Sequence, residues 1–119
     1  MSYVNAELLT RIESAVDRTM QMALALPRNL VGQVVGRQIV RSAGSVGANL
    51  EEAQAVITRK EYICKVSISL REGRETLYWM RRIERNKLVT PKRLEKLRSE
   101  WDEIVSIMTA MQKKLRKQK

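Results

Sequence analysis

The sequence predicts an all-α protein, an antiparallel up-down-up-down bundle of four helices, and three observations predict it. Apolar residues recur at steps of three and four through four separate segments. The composition holds no Phe, three Tyr, two Trp, two Pro and six Met, whereas strands draw on aromatic and β-branched residues. The connections between the periodic segments are short, which makes sequence neighbours antiparallel partners by default. At 119 residues the chain is read as one domain, 1–119, with a single modest core.

The first helix is expected over about 5–26. Leu8, Ile12, Ala15, Thr19, Met22 and Leu26 share one face, with Leu9, Val16 and Ala23 alongside. Pro27 disfavours helical geometry at Leu26 and closes the segment.

The second helix, 30–57, contains a glycine-rich stretch, "RSAGSVGANLEEA", that could instead be a phosphate-cradling loop. The loop reading fails on spacing. "GSVG" lacks the G-x-G-x-x-G order, and no Gly-Lys-Ser/Thr follows. The helix reading succeeds on register, because Val35, Ile39, Ala43, Val46, Leu50, Ala53 and Ile57 form one unbroken apolar stripe. Gln38, Ser42, Ser45, Asn49 and Glu52 line one flank, and Gly36, Val40, Gly44 and Gly47 the other. A glycine inside a helix costs up to about 1 kcal/mol against alanine. A close helix neighbour is the expected compensation.

Thr58 followed by Glu61 has the form of a capping box for the third helix, 59–87. Its core seam is expected to be Tyr62, Val66, Leu70, Gly73, Leu77, Met80 and Glu84. The fourth helix, 91–116, opens with Thr90 as cap and Pro91 in its first turn. Leu94, Leu97, Trp101, Ile104, Met108, Met111 and Leu115 make its heptad seam, and a basic tail covers 112–119.

Charge narrows the function. The formal net charge is +10, and residues 1–58 contribute none of it, with five Lys/Arg against five Asp/Glu. Residues 59–119 hold 18 Lys/Arg against eight Asp/Glu. Such an asymmetry points to a polyanion, nucleic acid before an acidic membrane surface. A solvated lysine-rich helical surface is the plainer alternative. Lys60, Arg71, Arg74, Tyr78, Arg81 and Arg85 form one stripe on the third helix, with Ser67 within it and Arg82 at its edge. Guanidinium groups at one-turn intervals with an interleaved tyrosine suit phosphates and a stacked base. Pairing with carboxylates on neighbouring helices is the competing use. Lys113, Lys114, Arg116 and Lys117 in the tail add sequence-blind affinity if nucleic acid is the partner.

The other flank of the third helix carries Glu61, Glu72 and Glu75 with Ile68, Trp79 and Ile83. As surplus apolar residues they would mark an oligomer interface, an acidic-apolar flank meeting a basic one head to tail in a ring. A core phase shifted by one position would instead place Trp79 inside.

Catalysis and metal binding find little support. The chain has no His and one Cys, Cys64, which has Lys60 one turn away but no visible catalytic partner. Glu51 and Glu52 are adjacent and diverge on a helix. No enzyme, cofactor or metal is expected. With a lone cysteine, charges scattered through the first 26 residues and no long apolar run, a soluble cytoplasmic protein without a membrane partner is expected.

"IVRSAGSVGANLEEA", Ile39 to Ala53, and "RKEYICKVSISLREGRETLYWMRRI", Arg59 to Ile83, resemble a bacterial four-helix-bundle family named for the intervening sequences of 23S ribosomal RNA genes. The resemblance covers roughly residues 8–110. Ser42, Ser45, Asn49 and Glu52 match its recurring polar positions, and Glu75 and Thr76 a later pair. It implies a homopentameric ring. The family includes the accessory variability determinant proteins of diversity-generating retroelements, similar basic bundles that bind nucleic acid and associate with a reverse transcriptase. The charge and tail of this chain fit that branch. A structural or protein-interaction module of the plain intervening-sequence type is the second reading.

Overall fold

Asn29 starts the second helix of the chain. Its extended backbone turns the chain, and its side-chain Oδ1 accepts the Gly32 N–H at 2.9 Å, satisfying an orphan donor of the second helix. The computed structural model describes residues 6–117, and these form four helices: α1 (Ala6–Ala23), α2 (Leu30–Ala53), α3 (Arg59–Arg85) and α4 (Pro91–Lys117). Asn5, where the first helix was expected to begin, and positions 118–119 of the tail lie outside the described residues. Among the described residues there is no strand.

Each helix packs on two neighbours, α1 on α2, α2 on α3, α3 on α4 and α4 on α1, around a rod of 48 × 20 × 20 Å. The α1–α2 side therefore lies opposite the α3–α4 side. Contacts between neighbours run in opposite directions along the chain. Gly36 meets Leu26 while Gly47 meets Val16. Ser42 meets Thr76 while Glu52 meets Lys65. Ser67 meets Gln112 while Glu84 meets Arg98.

The core is the set of periodic stripes. Leu8, Ile12, Ala15, Thr19, Met22 and Leu26 are buried, as are Val35, Ile39, Ala43, Val46, Leu50 and Ala53 of α2. In α4 the seam holds Leu94, Leu97, Trp101, Ile104, Met108 and Leu115, with Met111 half-buried. Trp101 is fully buried and needs a partner for its indole N–H; Thr19 Oγ1 accepts it at 2.8 Å while donating to the Ala15 carbonyl at 2.7 Å.

The structure corrects the sequence reading at three places. Helix α2 ends at Ala53, four residues early, so Ile57 leaves the stripe for the turn and is 95% exposed. In α3, Ile83 rather than Glu84 enters the core, and Glu84 pairs at the surface with Arg98. Ser69 and Thr76 are also buried, because α2 lies close enough to take their hydroxyls: Ser69 donates to the Val46 carbonyl at 2.8 Å and Thr76 to Ser42 Oγ at 2.9 Å. Periodicity placed most apolar residues correctly, Ile57 and Ile83 excepted, and could not see these inter-helix partners.

The third correction concerns the glycines. Gly32, which drew no attention as sequence, is the one the backbone demands: a Cβ there would lie 1.9 Å from the Pro27 carbonyl oxygen. At Gly73 a Cβ would come within 3.2 Å of Val105, so α3 and α4 approach closely there. A Cβ on Gly36 would meet Leu26 at 3.3 Å. At Gly44 and Gly47 it would meet only Met20 and Val16 side chains, at 3.8 and 3.5 Å, which is ordinary contact. Nothing within the chain requires glycine at those two positions.

Helix α3 is held at both ends. Thr58 Oγ1 accepts the Glu61 N–H at 3.1 Å. At the other end Leu88 N–H bonds to the Ile83 carbonyl and Lys87 N–H to that of Glu84, a Schellman closure with Lys87 at φ 52° where glycine is usual. Leu88 packs on the core beside it. Helix α4 follows from Pro91, with Arg93 N–H on the Thr90 carbonyl. It continues through the basic tail to Lys117, so those lysines sit on a helix.

Candidate nucleic-acid interface

The positive charge of this chain divides into paired and unpaired groups. Arg11 holds Glu100 with two hydrogen bonds, at 2.8 and 3.1 Å, and reaches Glu103 at 3.1 Å. These bonds keep the Glu100 carboxyl below its usual range, against the opposing effect of burial. Arg41 bridges Glu72 and Glu75, Lys65 bonds Glu52 at 3.0 Å, and Arg98 pairs with Glu84 and more loosely with Asp102. Each of these pairs closes a seam between elements or turns of the bundle.

The α3 stripe is different. Lys60, Arg71, Arg74, Arg81 and Arg85 are exposed, and among the described residues none makes an ion pair or hydrogen bond. Tyr78 lies among them, 45% exposed, with the Arg82 guanidinium 5.3 Å from its ring centroid and Trp79 edge-on at 5.0 Å. Arg82 itself is half-buried, and its Nε has no hydrogen-bond partner among the described residues. From Lys60 to Arg85 the stripe covers about 38 Å of helix, close to one turn of duplex DNA.

Two contacts lay the α4 tail beside this stripe. Gln112 Nε2 donates to Ser67 Oγ at 3.0 Å, and Arg59 donates to the Leu115 carbonyl. Lys113, Lys114, Arg116 and Lys117 are all exposed on that stretch of α4. The sequence reading thus named residues that tertiary contacts gather on one side of the rod. It missed Lys87, Lys92, Arg93 and Lys96, exposed cations at the end of the bundle around the α3–α4 turn. Their charge was visible in the sequence, but they belong to no single helical stripe.

The expected interface flank of α3 divides. Glu61 is exposed, while Ile68 and Trp79 are half-buried. Ile83 is fully buried and cannot serve as exposed apolar surface. Glu72 and Glu75 face Arg41 of the same chain, and the Trp79 indole N–H donates to Glu75 at 3.1 Å. Of the structural positions, Ser42 and Gly73 are buried, Asn49 donates to the Ser45 carbonyl and hydroxyl, and Glu52 holds Lys65. Cys64 is free and exposed. Among the described residues no group of three or more Cys, Asp and Glu could hold a metal, and no helix is long and apolar enough to cross a membrane.

Fold and surface together define a small all-helical bundle protein with one strongly cationic side. Residues 5–110 match the 23S rRNA-intervening sequence protein family, and the chain belongs to that family. Among solved structures it is similar to a protein from Bacteroides thetaiotaomicron VPI-5482, described as of unknown function from the S23 ribosomal protein family. The two are 27% identical with a TM-score of 0.81, over 89% of this chain and 98% of that one. No curated protein matches this chain.

Proposed function

We propose that this protein is a non-enzymatic, homopentameric nucleic-acid-binding bundle of the cytoplasm. In this reading it is the accessory protein that joins a reverse transcriptase to its RNA or DNA in a diversity-generating retroelement. The up-down-up-down bundle supplies a rigid rod, and the α3–α4 side supplies the contacts. One observation carries the reading. The cations that hold the fold together are paired, whereas Lys60, Arg71, Arg74, Arg81 and Arg85 are exposed and unpaired. Unpaired guanidinium groups at helical intervals suit phosphate oxygens, and Tyr78 offers a face to an unstacked base.

The test is a gel shift with a duplex DNA and a single-stranded RNA, repeated from about 50 to 200 mM salt. Affinity should fall steeply and log-linearly with salt. Replacing Arg71, Arg74, Arg81 and Arg85 together with alanine should flatten the duplex slope by about four, near 0.9 per phosphate released. Absence of binding at low salt would sink the proposal and favour a protein-interaction module.

A further inference from the structure

The crease between α1 and α2, on the side away from the cationic one, holds two hollows end to end. The first is an open groove of about 760 Å³ where α1 stops at Ala23 and the chain returns as α2. Its end wall is fixed by the Leu26–Pro27 turn, which closes on Gly32 and Gly36 so tightly that a Cβ there would meet it at 1.9 and 3.3 Å. Met20, Leu24 and Val40 make the groove apolar, and Leu24 is 79% exposed. Arg28 and Arg37 stand on its rim, whereas Arg41, also on the rim, is taken by Glu72 and Glu75. The second hollow, about 310 Å³, is floored by Gly44, Gly47 and Ala48 and bordered by Glu13, Asp17 and Glu51. Met20 lines both hollows. No Asp or Glu occurs between Asp17 and Glu51, so the two signs are segregated along the crease. Among the described residues the side chains of Arg28, Arg37, Glu13, Asp17 and Glu51 make no ion pair or hydrogen bond.

We propose that this crease docks one amphipathic helix of a partner protein, acidic over the first hollow, basic over the second and apolar on the face between. Charge complementarity carries the assignment. From Gly32 to Glu51 the crease follows α2 for nineteen residues, about 28 Å, the length of a helix of about five turns. Apolar residues of the partner at i, i+3, i+4 and i+7 seat against Met20, Leu24 and Val40, as helix-in-groove recognition does. Its carboxylates meet Arg28 and Arg37, and its cations meet Glu13, Asp17 and Glu51. Each charge then finds an opposite that its own chain leaves unpaired. Gly44 and Gly47, which nothing within the chain requires, let the partner's backbone come close over the second hollow.

Other occupants match half of the crease only. A nucleic acid or anionic membrane drawn by Arg28 and Arg37 is repelled by Glu13, Asp17 and Glu51. A compact amphiphilic molecule fills the first hollow and leaves the second, with its carboxylates, unused. The docking is independent of the nucleic-acid reading, which concerns the opposite side, and a ring closed through α3 leaves the crease open.

Panning a display library of nineteen-residue helical peptides against the wild-type protein tests it. One face of the library is fixed as Leu and Ala, and the flanking positions vary among Glu, Lys and Ser. Enriched peptides should carry Glu in one half and Lys in the other. In fluorescence anisotropy such a peptide should lose about tenfold in affinity for each of Arg37→Glu, Leu24→Glu and Glu51→Lys. A peptide of the same composition with its charges interleaved should bind wild type about tenfold more weakly. Circular dichroism checks the fold, and should one variant lose helicity the other two carry the test. All-acidic winners would place the binding on the α3–α4 cations and overturn the proposal. Affinity unchanged in the three variants, or no enrichment because another copy of this chain covers the crease, would overturn it as well.

Discussion

The two opposite sides of this rod carry charge in different ways. The α3–α4 side presents cations along its whole length, most of them unpaired, Arg98 on Glu84 excepted, and only lightly interrupted by carboxylates such as Glu95. The α1–α2 side is near neutral in sum, with arginines and exposed Leu24 at one end and carboxylates at the other. A surface of one sign suits a long polyanion that can lie anywhere along it. A surface of two separated signs suits a partner whose own signs are separated in the complementary order. Net charge, +10 for the chain, describes the first side and is blind to the second.

The largest effect is expected at Gly32, on the α1–α2 side. Valine there would drive its Cβ into the Pro27 carbonyl, opening the α1–α2 turn. A loss of about 3 kcal/mol is expected in denaturant unfolding. Any molecules still folded should keep the salt-dependent nucleic-acid binding of the opposite side.

The Arg71, Arg74, Arg81 and Arg85 replacement breaks the other side. Binding in a gel shift should weaken by on the order of a hundredfold at low salt, with helicity and melting midpoint unchanged, since these side chains are exposed and make no ion pair or hydrogen bond among the described residues. Loss of helicity along with binding would assign the effect to folding instead of to the cationic side.

A gentler change stabilises the end of the bundle where Lys87 sits. Lys87→Gly relieves a left-handed residue at the α3 terminus, for a gain of about 1 kcal/mol and a midpoint rise of about 4 °C in a melting curve.

The smallest effect concerns Glu100. Its folded-state carboxyl lies below the usual range, chiefly because Arg11 hydrogen-bonds the charged form. Its contribution is therefore complete above the unfolded value of about 4.3 and is lost as pH falls through the lower folded value. Glu100→Gln should lower the melting midpoint by about 2 °C at pH 7. That difference should vanish in acid, and a difference that persists there would assign the effect to packing instead of charge.

Much of this protein was determined by local sequence. The i, i+3, i+4 recurrence fixed four helices and nearly all of the core, because burying one apolar face is what stabilises an amphipathic helix. Thr58 as a cap and the glycine-rich stretch as helix were legible for the same reason: each depends on residues within a turn or two. The α3 cationic stripe was legible too, as a set of positions on one helix. Tertiary structure alone decided which cations are free. Arg41 and Arg71 look alike in sequence, yet α2 brings Arg41 to Glu72 and Glu75 while Arg71 faces outward. It also decided that Ile83 is core, that Ile57 is not, and that Gly32, not Gly44, is required by its own chain. These outcomes turn on contacts between residues far apart along the chain, and helical periodicity carries no information about what a face will meet.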